Sequence, residues 1–434
     1  MSTFKPEILA PAGDLEKLKT AFLYGADACY MGVKSMSMRV KENEIEQDEL
    51  EEAILLAREL GKKLYLTMNI HAHENRLNFL EKEIDYLKQL HERGVDPDAI
   101  LISDVGVIMI LREQCPWIPI HISTQANILN SAGIEFWAKQ GVTRVVLGRE
   151  VSLREVKQIR KKLKARQVEV EIESFVHGAM CMAYSGRCLL SSFMCNRDAN
   201  EGMCAHSCRW NYKMHDVKPP TIEGADGTEY FLEEELRPGQ YIPVEEDKEG
   251  TYFMSSKDMC MAEHLVDLIE AQVDSLKIEG RHKTLYYVAI ASRIYRQALD
   301  LAMKGKPLTE EILDLVASIN TRGYFTGFWY GRPGAEGQKY EERRDYNDDY
   351  CFAGVIRKAE GNCVTMEVKN TLKQGDRLDV ITPDKTIPFV LHEFHDAQNG
   401  TLIEAAHPGQ GFRITFTIEQ PLQVGYVVRK KKRS

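Results

Sequence analysis

Residues 8–33 read ILAPAGDLEKLKTAFLYGADACYMGV, which is a short apolar run, an amphipathic helical pattern and a second short apolar run. This order of strand, helix and strand is typical of a parallel βαβ unit, because two parallel strands need a crossover between them. No Gly-rich dinucleotide fingerprint follows the first apolar run. The fold class is predicted from the repetition of this βαβ unit along the chain.

The same alternation continues to about residue 281. Helical patterns such as LEKLKTAFLYG and FLEKEIDYLKQLHERG separate eight apolar runs with strand character. Eight strands alternating with helices predict an α/β fold of the (β/α)8 TIM-like barrel type, with a doubly wound open sheet as the alternative. The eight runs are ILAPAG, ACYMGV, LYLTMNI, AILISD, IPIHIST, RVVLGRE, VEIESFVHG and SLKIEGR.

The last part of the chain has a different period. From about residue 350 the apolar residues alternate with period two in FAGVIRK, CVTMEVKN, DRLDVITP, IPFVLHEF and FRITFTI. Short alternating strands separated by turn residues predict a small all-β barrel. We expect a (β/α)8 domain over residues 1–335, with a cysteine-rich and acidic insertion at 178–255, and a small β-barrel domain over residues 345–434.

Charge is distributed unevenly along the chain of 434 residues, whose net charge is -9. Residues 216–249 hold eleven acidic and three basic side chains, so the rest of the chain is close to neutral and the global charge excludes no class of partner. The tail 429–433 consists of five consecutive basic residues. Such a run is either a phosphate-binding arm or a solvated terminus.

Four of the ten cysteines, Cys181, Cys188, Cys204 and Cys208, fall within one short region of the chain. Several thiolates near one point suit an iron–sulfur cluster or a soft metal ion. The intervening six, fifteen and three residues favour a [4Fe-4S] cluster over zinc, whose ribbons prefer paired CxxC knuckles. Cys195 and Cys260 are possible substitute ligands, and we expect Cys29, Cys115, Cys351 and Cys363 in the core.

We expect no secretory signal at the start of the chain, since residues 1–6 are a short polar segment that leads straight into the first apolar run. We therefore expect a cytoplasmic, reduced protein in which disulfides, the rival use of the cysteines, do not form. No apolar run reaches the length of a membrane-spanning helix. A membrane partner is accordingly not expected.

Polar residues follow the predicted barrel strands, at the end where the active sites of such barrels lie. His71, Glu173 and His177 are the candidate catalytic residues, although a structural role is as plausible for any one of them. Guanidinium groups bind carboxylates in a bidentate manner, so the arginines here suit a carboxylate-rich ligand. The candidate substrate-binding residues are Arg149, Lys277, Arg281, Gln125 and Asn69.

The segment 173–191, ESFVHGAMCMAYSGRCLLS, resembles the signature of the collagenase-like peptidase family of unknown catalytic type, U32. The likeness extends over nearly the whole chain, through KPEILAPAG, STQAN, LGRE, CRWNY, MSSKD, SLKIEGR, RGY and the C-terminal β-domain. Within the family, the resemblance is greatest to members that hydroxylate the wobble uridine of tRNA to 5-hydroxyuridine and depend on prephenate.

This resemblance implies that the four clustered cysteines hold an iron–sulfur cluster, since relatives place their ligands in a Cys-x6-Cys-x15-Cys-x3-Cys frame that Cys181, Cys188, Cys204 and Cys208 satisfy. It also implies tRNA as a partner and prephenate as a co-substrate. Prephenate carries two carboxylates, which matches the arginines expected at the barrel mouth. Iron–sulfur assembly proteins would be further partners.

Three functions remain open at this point. The first is a tRNA-hydroxylating enzyme with a [4Fe-4S] cluster. The second is a peptidase, which the sequence disfavours because it contains no HExxH motif, no nucleophile elbow and no Ser-His-Asp order. The third is a non-catalytic module that binds RNA or prephenate and acts with a partner enzyme.

Overall fold

The computed structural model describes residues 4–32, 47–180, 205–210, 212–215, 230–234, 238–239, 241–244, 257–319, 323–331 and 350–432. The strands of its first part are β1 (Glu7–Pro11), β2 (Ala28–Gly32), β3 (Lys63–Met68), β4 (Ala99–Ile102), β5 (Ile120–Ile122), β6 (Arg144–Val146), β7 (Glu171–Ala179), β8 (Tyr212–His215), β9 (Tyr230–Glu234), β10 (Tyr241–Val244), β11 (Asp258–Cys260), β12 (Ser275–Ile278) and β13 (Tyr324–Phe325).

Eight of these strands form a closed parallel barrel, which confirms the predicted fold. Strands β1 to β7 pair in sequence order, and β12 pairs in parallel with both β7 and β1, which closes the sheet. All eight strands coincide with the apolar runs identified in the sequence. The closed β7–β12–β1 connection excludes the doubly wound open sheet.

Helices cover the outside of the barrel. Side-chain caps fix where several of them begin; Asp14, for example, accepts a hydrogen bond from the Lys17 N–H at 2.7 Å. Helix α4, which the periodicity did not single out, is capped by Asp104, whose carboxylate accepts from the Val107 N–H at 3.1 Å. The helices are α1 (Leu15–Leu23), α2 (Gln47–Glu59), α3 (Glu74–Glu92), α4 (Val105–Gln114), α5 (Ser131–Lys139), α6 (Leu153–Ala165), α7 (Leu265–Glu270), α8 (Leu285–Ala302) and α9 (Glu310–Ser318).

Strand β7 is nine residues long and continues past the barrel sheet. Its last residues pair antiparallel with β11, which places Cys260 opposite His177. Strand β11 also pairs with β13, while β8, β9 and β10 form a separate antiparallel sheet. The chain between the seventh and eighth barrel strands therefore returns to the C-terminal end of β7 before it enters β12.

The C-terminal part is an antiparallel half-barrel of eight strands in the order β18-β17-β23-β14-β15-β22-β19-β20, with β16 and β21 paired separately. Its own core contains buried aliphatic and aromatic side chains from most of these strands. The strands are β14 (Tyr350–Glu360), β15 (Cys363–Val368), β16 (Leu372–Lys373), β17 (Asp376–Ile381), β18 (Thr386–Leu391), β19 (Phe394–Asp396), β20 (Leu402–Ile403), β21 (Ala405–Ala406), β22 (Arg413–Thr417) and β23 (Val427–Lys431).

The half-barrel is joined to the barrel by buried polar contacts. The Tyr24 hydroxyl donates to the carbonyl of Ile381 at 2.5 Å and accepts from the Val427 N–H at 2.9 Å. Arg293, which is fully buried, donates to Glu311 at 2.5 Å and to the Thr386 hydroxyl at 3.1 Å. Because buried polar groups are costly when they lose a partner, these contacts fix the half-barrel on α1 and α8.

Both interpretations of the basic tail are wrong for its first two residues. Arg429 lies in β23 between two other strands, is 3% exposed, and donates to Asp379 at 2.8 Å and Asp314 at 2.6 Å. Lys430 forms an ion pair with Asp376 at 2.8 Å. A strand in the middle of a sheet is neither a free arm nor a solvated end, so these cations serve the fold. Residue 433 lies outside the described residues.

The isolated cysteines divide between the core and the surface. Cys29 and Cys115 are buried, as expected. Cys363 is exposed, in contrast to the expectation, because it begins β15 at a position that faces outward. Among the described helices, none has both the length and the apolar character needed to cross a lipid bilayer.

Candidate active site

The interior of the barrel contains a buried ion network around Arg144, at the start of β6. Its guanidinium group is 2% exposed and donates to Glu171 at 2.7 Å, to Glu7 at 2.7 Å and to Glu173 at 3.2 Å. Tyr65 also donates to Glu7 at 2.7 Å. Although burial alone would raise the pKa of the Glu7 carboxyl, Arg144 holds that pKa below its ordinary value. The Glu7 carboxylate is therefore charged and paired with Arg144.

Glu173 and Lys277 connect this network to the upper part of the barrel. Lys277 Nζ donates to the fully buried Glu173 carboxylate at 2.6 Å and lies 4.4 Å from the centre of the Tyr30 ring. Burial lowers the pKa of Lys277, and the carboxylate of Glu173 opposes that shift. The two residues are each other's ionic partners on neighbouring strands. Any chemical role of one of them would therefore also involve the other.

Two further cations lie above Lys277 at the barrel mouth. Arg281, which follows β12, donates to the Thr67 hydroxyl at 2.6 Å. Arg149, which follows β6, lies 4.0 Å above the centre of the Phe175 ring and donates to Glu279 at 3.3 Å. The barrel thus brings together Arg149, Lys277 and Arg281, which we call the mouth cations, around aromatic rings that limit their contact with water.

The other candidate substrate-binding residues form a hydrogen-bonded group on the opposite side of the mouth. The Ser103 hydroxyl lies 3.2 Å from the Asn69 carbonyl and 3.3 Å from Gln125 Oε1, and Gln125 Oε1 also accepts from the Ser123 hydroxyl. All four residues are buried. They come from the ends of β3, β4 and β5, where the carboxyl ends of parallel strands meet.

The candidate catalytic histidines occupy different environments. His71 is half-buried in the loop after β3, where the adjacent Ala72 N–H donates to Asp104 at 3.0 Å. His177 is 1% exposed, and burial lowers its pKa to about 3. His177 is therefore neutral at physiological pH, whereas His71 lies at the rim.

An aromatic cage surrounds His177. The rings of Tyr287, Tyr295 and Tyr324 lie 5.9, 5.4 and 5.4 Å from the imidazole centre. The Tyr295 hydroxyl lies 3.4 Å from His177 Nδ1 and 3.9 Å from Cys260 Sγ. Within the described residues, His177 Nε2 has no hydrogen-bond partner. The cage therefore encloses a buried polar side chain, four residues before the first cysteine of the cysteine-rich region.

Of the four cysteines predicted to be cluster ligands, one lies within the described residues. Cys181, Cys188 and Cys204 lie outside the described residues, while Cys208 is half-buried in a short 3-10 helix, Ser207–Arg209. The ring of His206, two residues earlier, lies 5.9 Å from that of His282 in the loop after β12. Cys208 is therefore carried by a segment at the C-terminal end of the barrel, beside the mouth.

Sequence reasoning did not identify Glu7, Tyr65, Thr67, His121 or Arg144 as part of the barrel interior. The available signal was a charged residue at the start of an otherwise apolar strand, as in RVV at residues 144–146. That signal does not reveal its partner, since Arg144 and Glu7 are 137 residues apart.

The arrangement at the mouth can bind an anion. Three cations face two acidic side chains there, Glu173 and Glu279, and the cations are held in place by aromatic rings and hydrogen bonds. Charge-assisted hydrogen bonds to a carboxylate or phosphate are stronger than neutral ones, and more so where water is excluded. The geometry suits a small ligand with one or two negative groups.

Comparison with known proteins gives matches over nearly the whole chain. The profile of peptidase family U32 matches residues 13–339, and the profile of the peptidase family U32 C-terminal domain matches residues 348–429. A protein of Escherichia coli K12 named tRNA hydroxylation protein P is 39% identical over 447 residues, which cover 98% of this chain and 96% of that protein.

Two further relatives have different names. The 23S rRNA 5-hydroxycytidine C2501 synthase of Escherichia coli K12 is 32% identical, over 90% of this chain and 54% of that protein. A protein of Porphyromonas gingivalis named collagenase is 30% identical, over 87% of this chain and 86% of that protein. Similarity to this chain therefore extends to proteins named for RNA hydroxylation and to one named for proteolysis.

Proposed function

The chain belongs to peptidase family U32, and from that premise we propose that it is an RNA-modifying enzyme that hydroxylates transfer RNA. The observation that carries the proposal is the 39% identity, over 98% of the chain, to a protein named for tRNA hydroxylation. A second protein of that name, from Bacillus subtilis, is 35% identical over 99% of the chain. The ribosomal RNA hydroxycytidine synthase supports the same reaction class on a different RNA.

In its finer form, the proposal is that the product is 5-hydroxyuridine at the anticodon wobble position and that prephenate is required. The mouth cations support the second point by charge. Arg149 and Arg281 follow strands β6 and β12, and both are less than one fifth exposed. A ligand carboxylate bound between them would therefore be largely shielded from water. Each charge-assisted hydrogen bond to such a carboxylate contributes about 1.5 to 3 kcal/mol.

We also propose a [4Fe-4S] cluster on Cys181, Cys188, Cys204 and Cys208. Four cysteine thiolates are the usual donor set of such a cluster, and Cys208 fits the role because it sits in a segment beside the barrel mouth. A bound cluster would supply one-electron chemistry or a structural crosslink. The chain's own residues would bind the anionic co-substrate, keep His177 neutral and shield the mouth with Tyr30 and Phe175.

The proposal is tested by nucleoside analysis of tRNA. In a bacterial strain that lacks its own tRNA hydroxylation proteins, expression of this chain should restore 5-hydroxyuridine, measured by mass spectrometry of digested tRNA. A strain that also cannot make prephenate should show no restoration until that metabolite is supplied. Full expression without any hydroxylated nucleoside in tRNA would contradict the proposal.

A peptidase is the second candidate, and the relative named collagenase is the observation that favours it. Purified protein incubated with gelatin and collagen peptides would reveal such an activity. In the described residues, no group of three or more histidine, cysteine or acidic side chains is arranged to hold a metal ion as a metallopeptidase would. Reconstitution with pure protein, tRNA and prephenate separates the enzyme from a module that only binds RNA for a partner.

A further inference from the structure

The outer face of α6 has a charge opposite to that of the chain as a whole. Residues 153–166 hold seven cationic side chains and one acidic one, a net charge of +6 in a chain whose total is -9. The helix is strongly amphipathic, with only Val156, Ile159 and Leu163 buried against the barrel. The cationic residues are Arg154, Lys157, Arg160, Lys161, Lys162, Lys164 and Arg166.

Some of these cations are neutralised by the fold. Arg160 forms an ion pair with Asp274, and Arg166 forms one with Glu135. Lys157 lies 3.2 Å from Glu270, although both side chains are about half exposed. Such exposed ion pairs contribute little to stability, and their cations can readily pair with other anions.

Arg154 and three lysines remain without a counterion in the part of the chain that the structure describes. Lys161, Lys162 and Lys164 are exposed and make no ion pair or hydrogen bond with any described side chain. The helix macrodipole favours cations in the last turn, where Lys162 and Lys164 lie, but this effect is weak at exposed positions and is confined to that turn. It does not explain a net charge of +6 along the whole helix.

Helix α6 begins beside the barrel mouth, so its cationic face extends from the mouth along the barrel wall. The helix begins at Leu153, four residues after Arg149, and its first turn is tied to the 323–331 segment by a hydrogen bond from Leu153 N–H to the Trp329 carbonyl at 2.9 Å. At 1.5 Å per residue, it extends about 20 Å from the mouth along the barrel wall. Lys157, Lys161 and Lys164 lie on one side of it, spaced by four and three residues, and the exposed Lys162 adjoins Lys161.

We propose that this face of α6 binds the phosphate backbone of the RNA whose nucleotide enters the barrel mouth. The inference rests on the proposed function and adds the place where the RNA is held. A row of lysine ammonium groups matches a polyanion, because each group can contact a different phosphate without a fixed geometry. An acidic protein is the other conceivable partner, but the helix that carries the row begins beside the mouth, where the RNA would enter, and this favours RNA.

The test uses the full-length protein with Lys161, Lys162 and Lys164 changed to Gln, a residue of similar helix propensity. The matched control carries Lys82, Lys304 and Lys306 changed to Gln, which are exposed lysines on α3 and after α8. Binding of an unmodified tRNA transcript is measured by fluorescence anisotropy at several salt concentrations. Circular dichroism shows whether each variant keeps the wild-type fold.

We expect the α6 variant to bind tRNA more weakly, on the order of ten- to a hundredfold at 0.1 M salt, with a log-log salt slope shallower by about 2 to 3. The control should keep nearly wild-type affinity and slope. Wild-type binding by the α6 variant, or an equal loss in the control, would overturn the inference. The result is independent of hydroxylation, which the nucleoside analysis reports, so the two proposals can fail separately.

Discussion

The hydroxyl of Tyr295 on α8 lies 3.4 Å from Nδ1 of His177 on β7. Its single proton is donated to the Val176 carbonyl at 2.6 Å, and its oxygen accepts from the Met261 N–H at 3.1 Å. Any hydrogen bond to His177 must therefore come from Nδ1–H, which leaves Nε2 with a lone pair. A buried lone pair without a donor among the described residues is able to accept from a ligand.

Removal of the Tyr295 hydroxyl should destabilise the protein. In Tyr295→Phe, the buried Val176 carbonyl and Met261 N–H lose a shared partner, so we expect the free energy of unfolding to fall by about 1 to 3 kcal/mol. Urea denaturation measures this change. Tyr426→Phe is the control, since Tyr426 is half-buried and should change stability by less than about 0.5 kcal/mol. Equal effects in both variants would show that the hydroxyl bridge contributes nothing specific.

His177 should make the protein sensitive to acid. Burial lowers its pKa from 6.5 to about 3, so between these values the unfolded chain binds a proton that the folded chain does not. Stability is therefore lost as the pH falls through this window. In His177→Gln, the slope of unfolding free energy against pH should be shallower by about 1.4 kcal/mol per pH unit. The exposed His392→Gln should leave the slope unchanged, and an unchanged slope in both would contradict the burial argument.

The Glu173–Lys277 pair should behave as a coupled unit. Lys277→Met leaves the buried Glu173 carboxylate with Arg144 alone, which should cost about 3 to 5 kcal/mol of stability. The double variant Glu173→Leu/Lys277→Met removes both charges and should recover part of that loss. A double-mutant cycle in guanidinium chloride gives the coupling energy. Strictly additive losses would show that the two groups do not interact.

Arg281 should bind the anionic co-substrate without being required for the fold. We expect Arg281→Met to lose prephenate-dependent hydroxylation, since one charge-assisted bond of about 1.5 to 3 kcal/mol is removed. Thr67→Val is the matched control, because it removes the 2.6 Å hydrogen bond to Arg281 and keeps the charge. It should weaken prephenate binding less, as measured by calorimetry. Wild-type prephenate affinity in Arg281→Met would remove this residue from the site.

Cys208 should be required for the proposed cluster. Anaerobically purified wild-type protein is expected to be brown and to contain iron and sulfide in the ratio of one cubane cluster. Cys208→Ala should lose the colour and most of the iron, as should Cys181→Ala, Cys188→Ala and Cys204→Ala. Cys260→Ala and the exposed Cys363→Ala should keep both. A colourless wild-type protein with one tightly bound zinc ion would disprove the iron–sulfur assignment.

The surroundings of Cys260 could not be predicted from the sequence. In the sequence, Cys260 is a possible substitute ligand that lies outside the four-cysteine frame, and the pattern does not show which residues surround it. The pairing of β11 with β7 puts it opposite His177, and Tyr295 contacts both side chains. These contacts join three elements that are far apart in the chain, so no local pattern could have revealed them.

Arg429 shows the same limit for charge. As part of a run of basic residues at the end of the chain, it suggested a phosphate-binding arm or a solvated terminus. In the fold its buried guanidinium group donates to Asp314 from α9 and to Asp379 from β17. The sequence contains all three charges, but only folding brings them within hydrogen-bond distance.

The amino-acid sequence alone predicts the barrel, because strand and helix periods depend on the burial of residues two to four positions apart. It also determined which polar and cysteine side chains stand at the ends of the strands. The sequence does not show which of these charges are neutralised inside the barrel, as Glu173 is by Arg144 and Lys277, and which stay accessible, as Lys161 does on α6. The pairing and solvation of a charge depend on neighbours from distant strands, and these neighbours meet only when the sheet closes.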